Sequence, residues 1–222
     1  MEYLTLNTGA KMPLEGFGVF QIPDLEQCEE VVYQAIETGY RLIDTAAAYM
    51  NEVAVGKAVE RAIKDGLTKA IGVANFYPSI LANLCETVDI KPAVNQVELH
   101  PFFTQENALK NMQEYGVVPQ AWGPLAEGKH GIFTDPELVE IGKKYGKSAA
   151  QVVLRWNAQR GVSIIPKSVH KERMEQNIDI WDFELTEEEM NKIASKDLGH
   201  SEIVNHDDTA FVKALCGMKI HE

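Results

Sequence analysis

The 222-residue chain has little of what marks several protein classes. Its three cysteines, Cys28, Cys85 and Cys216, are odd in number, far apart and without a C-x-x-C pair. That argues against a disulfide frame or a thiolate zinc site, and predicts reduced thiols in a cytoplasmic protein. Basic residues are scarce. With 21 Lys+Arg against 33 Asp+Glu the net charge is −12, which repels nucleic acid and anionic membrane. Long apolar runs are missing, since stretches such as 70–73 and 161–166 fall far short of the ~20 residues that span a bilayer. The N-terminus shows no basic stretch followed by an apolar one, so no signal peptide is expected. The six histidines lack metal-ligand spacing, and no metal site is expected.

What is present is the composition of an ordinary globular domain, with 45% hydrophobic and 24% charged residues. The length suits a single domain over 1–222. Short apolar segments at 16–20, 41–44, 70–73, 94–97, 118–121 and 163–165 read as strands. Amphipathic stretches at 25–38, 51–65, 77–88, 105–115, 136–145 and 149–159 read as helices between them. This alternation predicts βαβ units on a parallel sheet, with strands buried on both faces. Asn51 and Gly66 bracket the second helix, and Thr186, followed by three acids, caps a further one. Segments 3–6 and 11–13, joined through Asn7-Thr8-Gly9-Ala10, predict an N-terminal β-hairpin, and residues 199–222 read as an irregular tail. The expected fold class is α/β, a TIM-type (β/α) barrel. The six recognisable units fall short of the eight of a closed barrel.

Four segments carry chemistry: Ile43-Asp44-Thr45-Ala46-Ala47-Ala48-Tyr49, Gly72-Val73-Ala74-Asn75-Phe76, Asn95-Gln96-Val97-Glu98-Leu99-His100-Pro101, and Ile164-Ile165-Pro166-Lys167-Ser168 followed by Arg173, Gln176 and Asn177. Each lies at the C-terminal end of an expected strand, where barrel enzymes place their sites. In this order the segments resemble the aldo-keto reductase family. The resemblance covers almost the whole chain. Through Ala121-Trp122-Gly123-Pro124-Leu125 it is nearest to the prokaryotic diketogluconate-reductase-like branch.

The resemblance implies an oxidoreductase that reduces aldehydes or ketones with NADPH and without metal, a small-molecule carbonyl being its partner. Tyr49 matches the family's proton donor and Asp44 its catalytic aspartate. Asn75 and Gln96 match positions that hold the nicotinamide carboxamide, with Ala74 in place of the usual Ser. Trp122 matches the aromatic that stacks on the ring. Gly123, Leu125 and Glu127 fall in the pyrophosphate-side loop. Lys167, Ser168 and Arg173 match the clamp on the adenosine 2′-phosphate, and Gln176 and Asn177 the adenine contacts, Gln176 replacing the usual Glu. Blander readings stand beside these: Asp44 as a helix cap, Tyr49 and Trp122 as packing aromatics, and 167–173 as a solvated basic loop. Gly16-Phe17-Gly18 lacks the third glycine of a dinucleotide fingerprint.

The sequence departs from the family between Asp65-Gly66-Leu67 and Thr68-Lys69-Ala70. Two βα units are absent near 66–69, roughly 60 residues at about 30 per unit. The family's catalytic Lys and His lie in that part. Lys69 precedes its strand and His100 follows a later one, so neither replaces them. Weak turnover is therefore expected, the alternatives being an NADPH-binding module without chemistry or a truncated product. Six strands leave open edges, which predicts self-association.

Overall fold

The structure, a computed structural model, describes residues 2–7, 9–19, 22, 24–44, 72–87 and 91–204. The expected helix at 51–65, the departure near 66–69, Tyr49, His206 and Cys216 lie outside the described residues.

Strands β1 (Tyr3–Thr5) and β2 (Lys11–Pro13) form the antiparallel hairpin, with Tyr3 opposite Pro13. The six expected parallel strands follow: β3 (Phe17–Gly18), β4 (Ile43–Asp44), β5 (Gly72–Ala74), β6 (Val94–Glu98), β7 (Val118–Trp122) and β8 (Ser163–Ile164). The described helices are α1 (Leu25–Thr38), α2 (Pro78–Thr87), α3 (Glu106–Tyr115), α4 (Pro136–Tyr145), α5 (Ala149–Gln159), α6 (Lys171–Ile178) and α7 (Glu187–Ala194). None of them is long and apolar enough to cross a membrane.

Local chemistry sets the helix ends. Asp24 accepts from the Gln27 amide to start α1, and Gly39 closes it at φ 119°, a conformation that costs glycine least. Ser148 with Gln151, and Thr186 with Glu189, form reciprocal capping boxes on α5 and α7. Helix α6 was not expected from the sequence pattern. Its only apolar residues are Met174 and Ile178, one turn apart, and of these two only Met174 is fully buried, against α1. So narrow a stripe carries little periodicity.

Strands β5, β6, β7 and β8 pair in that order, and β3 pairs with β4. A parallel bridge between Glu15 and Ile164 joins β8 to the start of β3, with the Ile164 amide donating to the Leu14 carbonyl at 2.8 Å. The continuous order is β5-β6-β7-β8-β3-β4. In a flat sheet β4 and β6 would stand roughly 19 Å apart, four strand spacings. Yet the Gln96 amide on β6 donates to Asp44 on β4 at 2.7 Å. The sheet is therefore curled upon itself, as the wall of a barrel is. No pairing between β4 and β5 is found among the described residues.

Two apolar clusters fill the layers. One joins β6, β7 and β8 to α3, α4 and α5 around Val97, Leu99, Leu138, Leu154 and Trp156. The other joins β3 to α1 and α6 around Phe17, Val32, Tyr40 and Met174. The hairpin packs Leu6 and Met12 on Ala93 and Val118, at the starts of β6 and β7. It thus covers the end of the wall opposite the strand C-termini.

Candidate active site

All six parallel strands point the same way, so their C-terminal ends share one rim. Gly18 on β3 registers with Asp44 on β4, and Ala74 on β5 with Gln96 on β6. Gln96 registers in turn with Gln120 on β7, and Gln120 with Ser163 on β8. Lys167 follows β8 after Pro166. The basic segment after β8 and Asp44 at the end of β4 therefore stand at the same end, separated only by β3.

Inside the curl a file of polar groups runs across the strands. Gln96 Nε2 donates to Asp44 Oδ1 at 2.7 Å and to Gln120 Oε1 at 2.8 Å. Gln120 Nε2 donates to Ser163 Oγ at 3.2 Å. Burial pushes the Asp44 carboxyl above its ordinary range, and the Gln96 hydrogen bond opposes that rise. The expectation of almost wholly apolar strands is corrected here. Asn95, Gln120 and Ser163 are buried polar residues, and each is satisfied by a neighbour in the rim or wall. Gln120 and Ser163 were not singled out from the sequence. A glutamine in the middle of the otherwise apolar run 118–122 was the available signal.

Asn75 sits at φ +59°, in the left-handed region, just past β5. Its amide donates to the Gln96 carbonyl at 2.8 Å, and its Oδ1 accepts from Trp122 Nε1 at 2.8 Å. Asn95 clasps the Phe76 backbone through both ends of its carboxamide, which fixes this turn. Asn75, Gln96 and Trp122 thus come together. Trp122 is half-buried, and Gly123 follows at φ +59° in front of Ile203. Leu125 is half-buried and Glu127 exposed, in a loop whose Ala126 and Glu127 are also left-handed.

Lys167 and Arg173 are exposed, and neither is in an ion pair among the described residues. The Ser168 hydroxyl accepts from the His170 amide at 3.1 Å and holds the turn into α6. Gln176 is exposed on α6 and Asn177 is buried. Arg173 and the two α6 residues are thus carried by one helix. His100 does not stand free at the rim. It is 3% exposed, with Nε2 3.0 Å from Glu98 Oε1, while Ser201 donates to the other oxygen of Glu98. That contact ties the chain after α7 to the end of β6.

The family model described as Aldo/keto reductase family matches residues 53–198. A 9,11-endoperoxide prostaglandin H2 reductase of Trypanosoma cruzi is 34% identical, over 86% of this chain and 89% of the relative. A glyoxal reductase of Bacillus subtilis is also 34% identical, over 85% and 90%. Among solved structures, a Bombyx mori aldo-keto reductase in complex with NADP superposes with a TM-score of 0.84 at 26% identity, over 93% of this chain and 96% of that one. The alignment with the trypanosomal protein runs over 253 positions. Since 86% of 222 residues is about 191, about 62 of those positions hold no residue of this chain.

Proposed function

Because the chain belongs to the aldo/keto reductase family, we propose that it reduces an aldehyde or ketone to the alcohol with NADPH, acting in the cytoplasm. When bound, NADPH supplies the hydride. The chain's own residues bind, orient and protonate. Asn75 has spent its Oδ1 on Trp122 and offers Nδ2 as a donor; Gln96 has spent Nε2 and offers Oε1 as an acceptor. One donor beside one acceptor complements a primary carboxamide. The indole of Trp122 supplies an apolar face next to them. Lys167 and Arg173 supply cations where the net charge of −12 would otherwise repel a 2′-phosphate. Ser168, Gln176 and Asn177 would flank the adenosine, and Gly123, Leu125 and Glu127 the pyrophosphate.

Tyr49 is the proton donor in this reading. A phenol titrates near ~10 unless a cation lowers its pKa. Asp44 meets a neutral amide, Gln96, where the family would pair it with a lysine. An amide does not carry the charge that acidifies a phenol, so turnover should be weak. General acid catalysis is typically worth about 10²–10⁴-fold, which sets the scale of the expected deficit. The observation that carries the function is the convergence of Asp44, Asn75, Gln96 and Trp122 on one rim.

The test is NADPH oxidation with glyoxal, run beside the Bacillus subtilis relative and a Tyr49→Phe variant, together with a fluorescence titration of NADPH. We expect binding, with slow turnover that the variant abolishes. No binding of NADPH would sink the function. Turnover equal to that of the relative would sink the account of its weakness. Binding without any turnover would move the chain to a cofactor-binding module.

A further inference from the structure

We propose that Gln120 is a positioning residue that fixes the side-chain amide of Gln96, so that Gln96 Oε1 alone faces the cofactor carboxamide; this rests on the NADPH reading above. The direction of the polar file follows from its ends. An Asp44 carboxylate only accepts, so the side-chain nitrogen of Gln96 turns to it, at 2.7 Å. The second proton on that nitrogen goes to Gln120 Oε1 at 2.8 Å. Gln120 must then face the other way with its own nitrogen, and Ser163 Oγ receives it at 3.2 Å.

Turning Gln96 over would set its oxygen against both Asp44 Oδ1 and Gln120 Oε1. Turning Gln120 over would set its nitrogen against the nitrogen of Gln96. Each reversal brings like groups together, so one arrangement survives. Gln120 is 6% exposed and Ser163 fully buried. Gln120 therefore acts through Gln96. Without it, the Gln96 amide keeps one partner, Asp44, and is free to tilt away from the carboxamide.

The probes are NADPH and its reduced acetylpyridine analogue, which keeps the ring carbonyl but replaces the carboxamide nitrogen with a methyl group. Both are titrated against the wild type, Gln120→Leu, Ser163→Ala, Gln96→Leu and the double variant of 96 and 120. A net hydrogen bond of about 1 kcal/mol corresponds to roughly fivefold in affinity, so the wild type should prefer NADPH by about that factor. In Gln120→Leu the preference should fall toward one, through weaker NADPH binding and little change for the analogue. Gln96→Leu should do the same, and the double variant should lose nothing more. Ser163→Ala should lose part of the preference; it changes packing less and serves if Gln120→Leu does not fold.

A purely structural role would weaken both ligands alike. A preserved preference in the folded variants would therefore overturn the relay while NADPH binding stood. Failure of the wild type to bind NADPH would overturn the cofactor reading, and the role of Gln120 with it.

Discussion

Glu15 is fully buried between β2 and β3. Its Oε1 accepts from the Tyr40 hydroxyl at 3.3 Å, and its Oε2 has no partner among the described residues. Burial holds its carboxyl well above the ordinary 4.5, against the opposing Tyr40 hydrogen bond. In the unfolded chain Glu15 ionises from about that ordinary value upward. The folded chain does not follow until a higher pH, so the contribution of Glu15 to stability is fully present below 4.5 and is lost as pH rises toward the folded pKa. Glu15→Gln removes the titration. Urea denaturation should show the variant gaining on the wild type as pH rises from 5 to 8, and matching its trend near pH 4. Parallel stability curves would refute this. Residues of this kind were not legible in the sequence. Glu15 was not singled out there, because nothing local shows that it meets Ile164 across the sheet and Tyr40 beyond α1. Asn75, Gln96 and Trp122 could be singled out because each stands at or near the C-terminal end of a strand inside a motif. Gln120 was not, since its role exists only across three strands.

At the scale of elements, α7 is anchored by one carboxylate. Glu189 accepts from the Tyr145 hydroxyl at 2.6 Å, from Lys144 at 2.9 Å and from the Thr186 amide at 2.9 Å. Burial pushes its pKa up, but these donors outweigh burial and bring it down to about 2. A lowered carboxyl contributes stability above its unfolded value near 4.5 and loses it as pH falls toward 2. Tyr145→Phe should cost about 1 kcal/mol at neutral pH and move the midpoint of acid unfolding upward. Circular dichroism during an acid titration checks both, and an unmoved midpoint would refute the assignment. The Thr186 cap of α7 was readable, because a cap is a local event among neighbouring residues, whereas Asp24 and Ser148, which cap α1 and α5, were not singled out. Helix α6 escaped because tertiary packing of Met174, not periodicity, makes it a helix.

For the whole molecule, the order β5-β6-β7-β8-β3-β4 ends in two strands without a described partner on their outer side. The family's barrel would fill that place with two more units, and the 62 unfilled alignment positions match their length. Exposed strand edges recruit other chains. Sedimentation should therefore show species heavier than one chain at micromolar concentration, and a sharp monomer with cooperative unfolding would refute it. The six parallel strands found among the described residues were legible from alternation alone. Their spatial order was not, since it depends on the bridge from Glu15 to Ile164, nearly 150 residues away along the chain. That bridge also governs when the protein can fold on the ribosome. Strand β3 and helix α1 are among the first segments synthesised, yet Phe17, Val32 and Tyr40 pack against Met174. The nascent chain must carry its opening apolar segments unsheltered until three quarters of it has been translated. Chaperone demand during synthesis should then fall on the N-terminus, and a stop codon placed before residue 163 should leave that half without a fold.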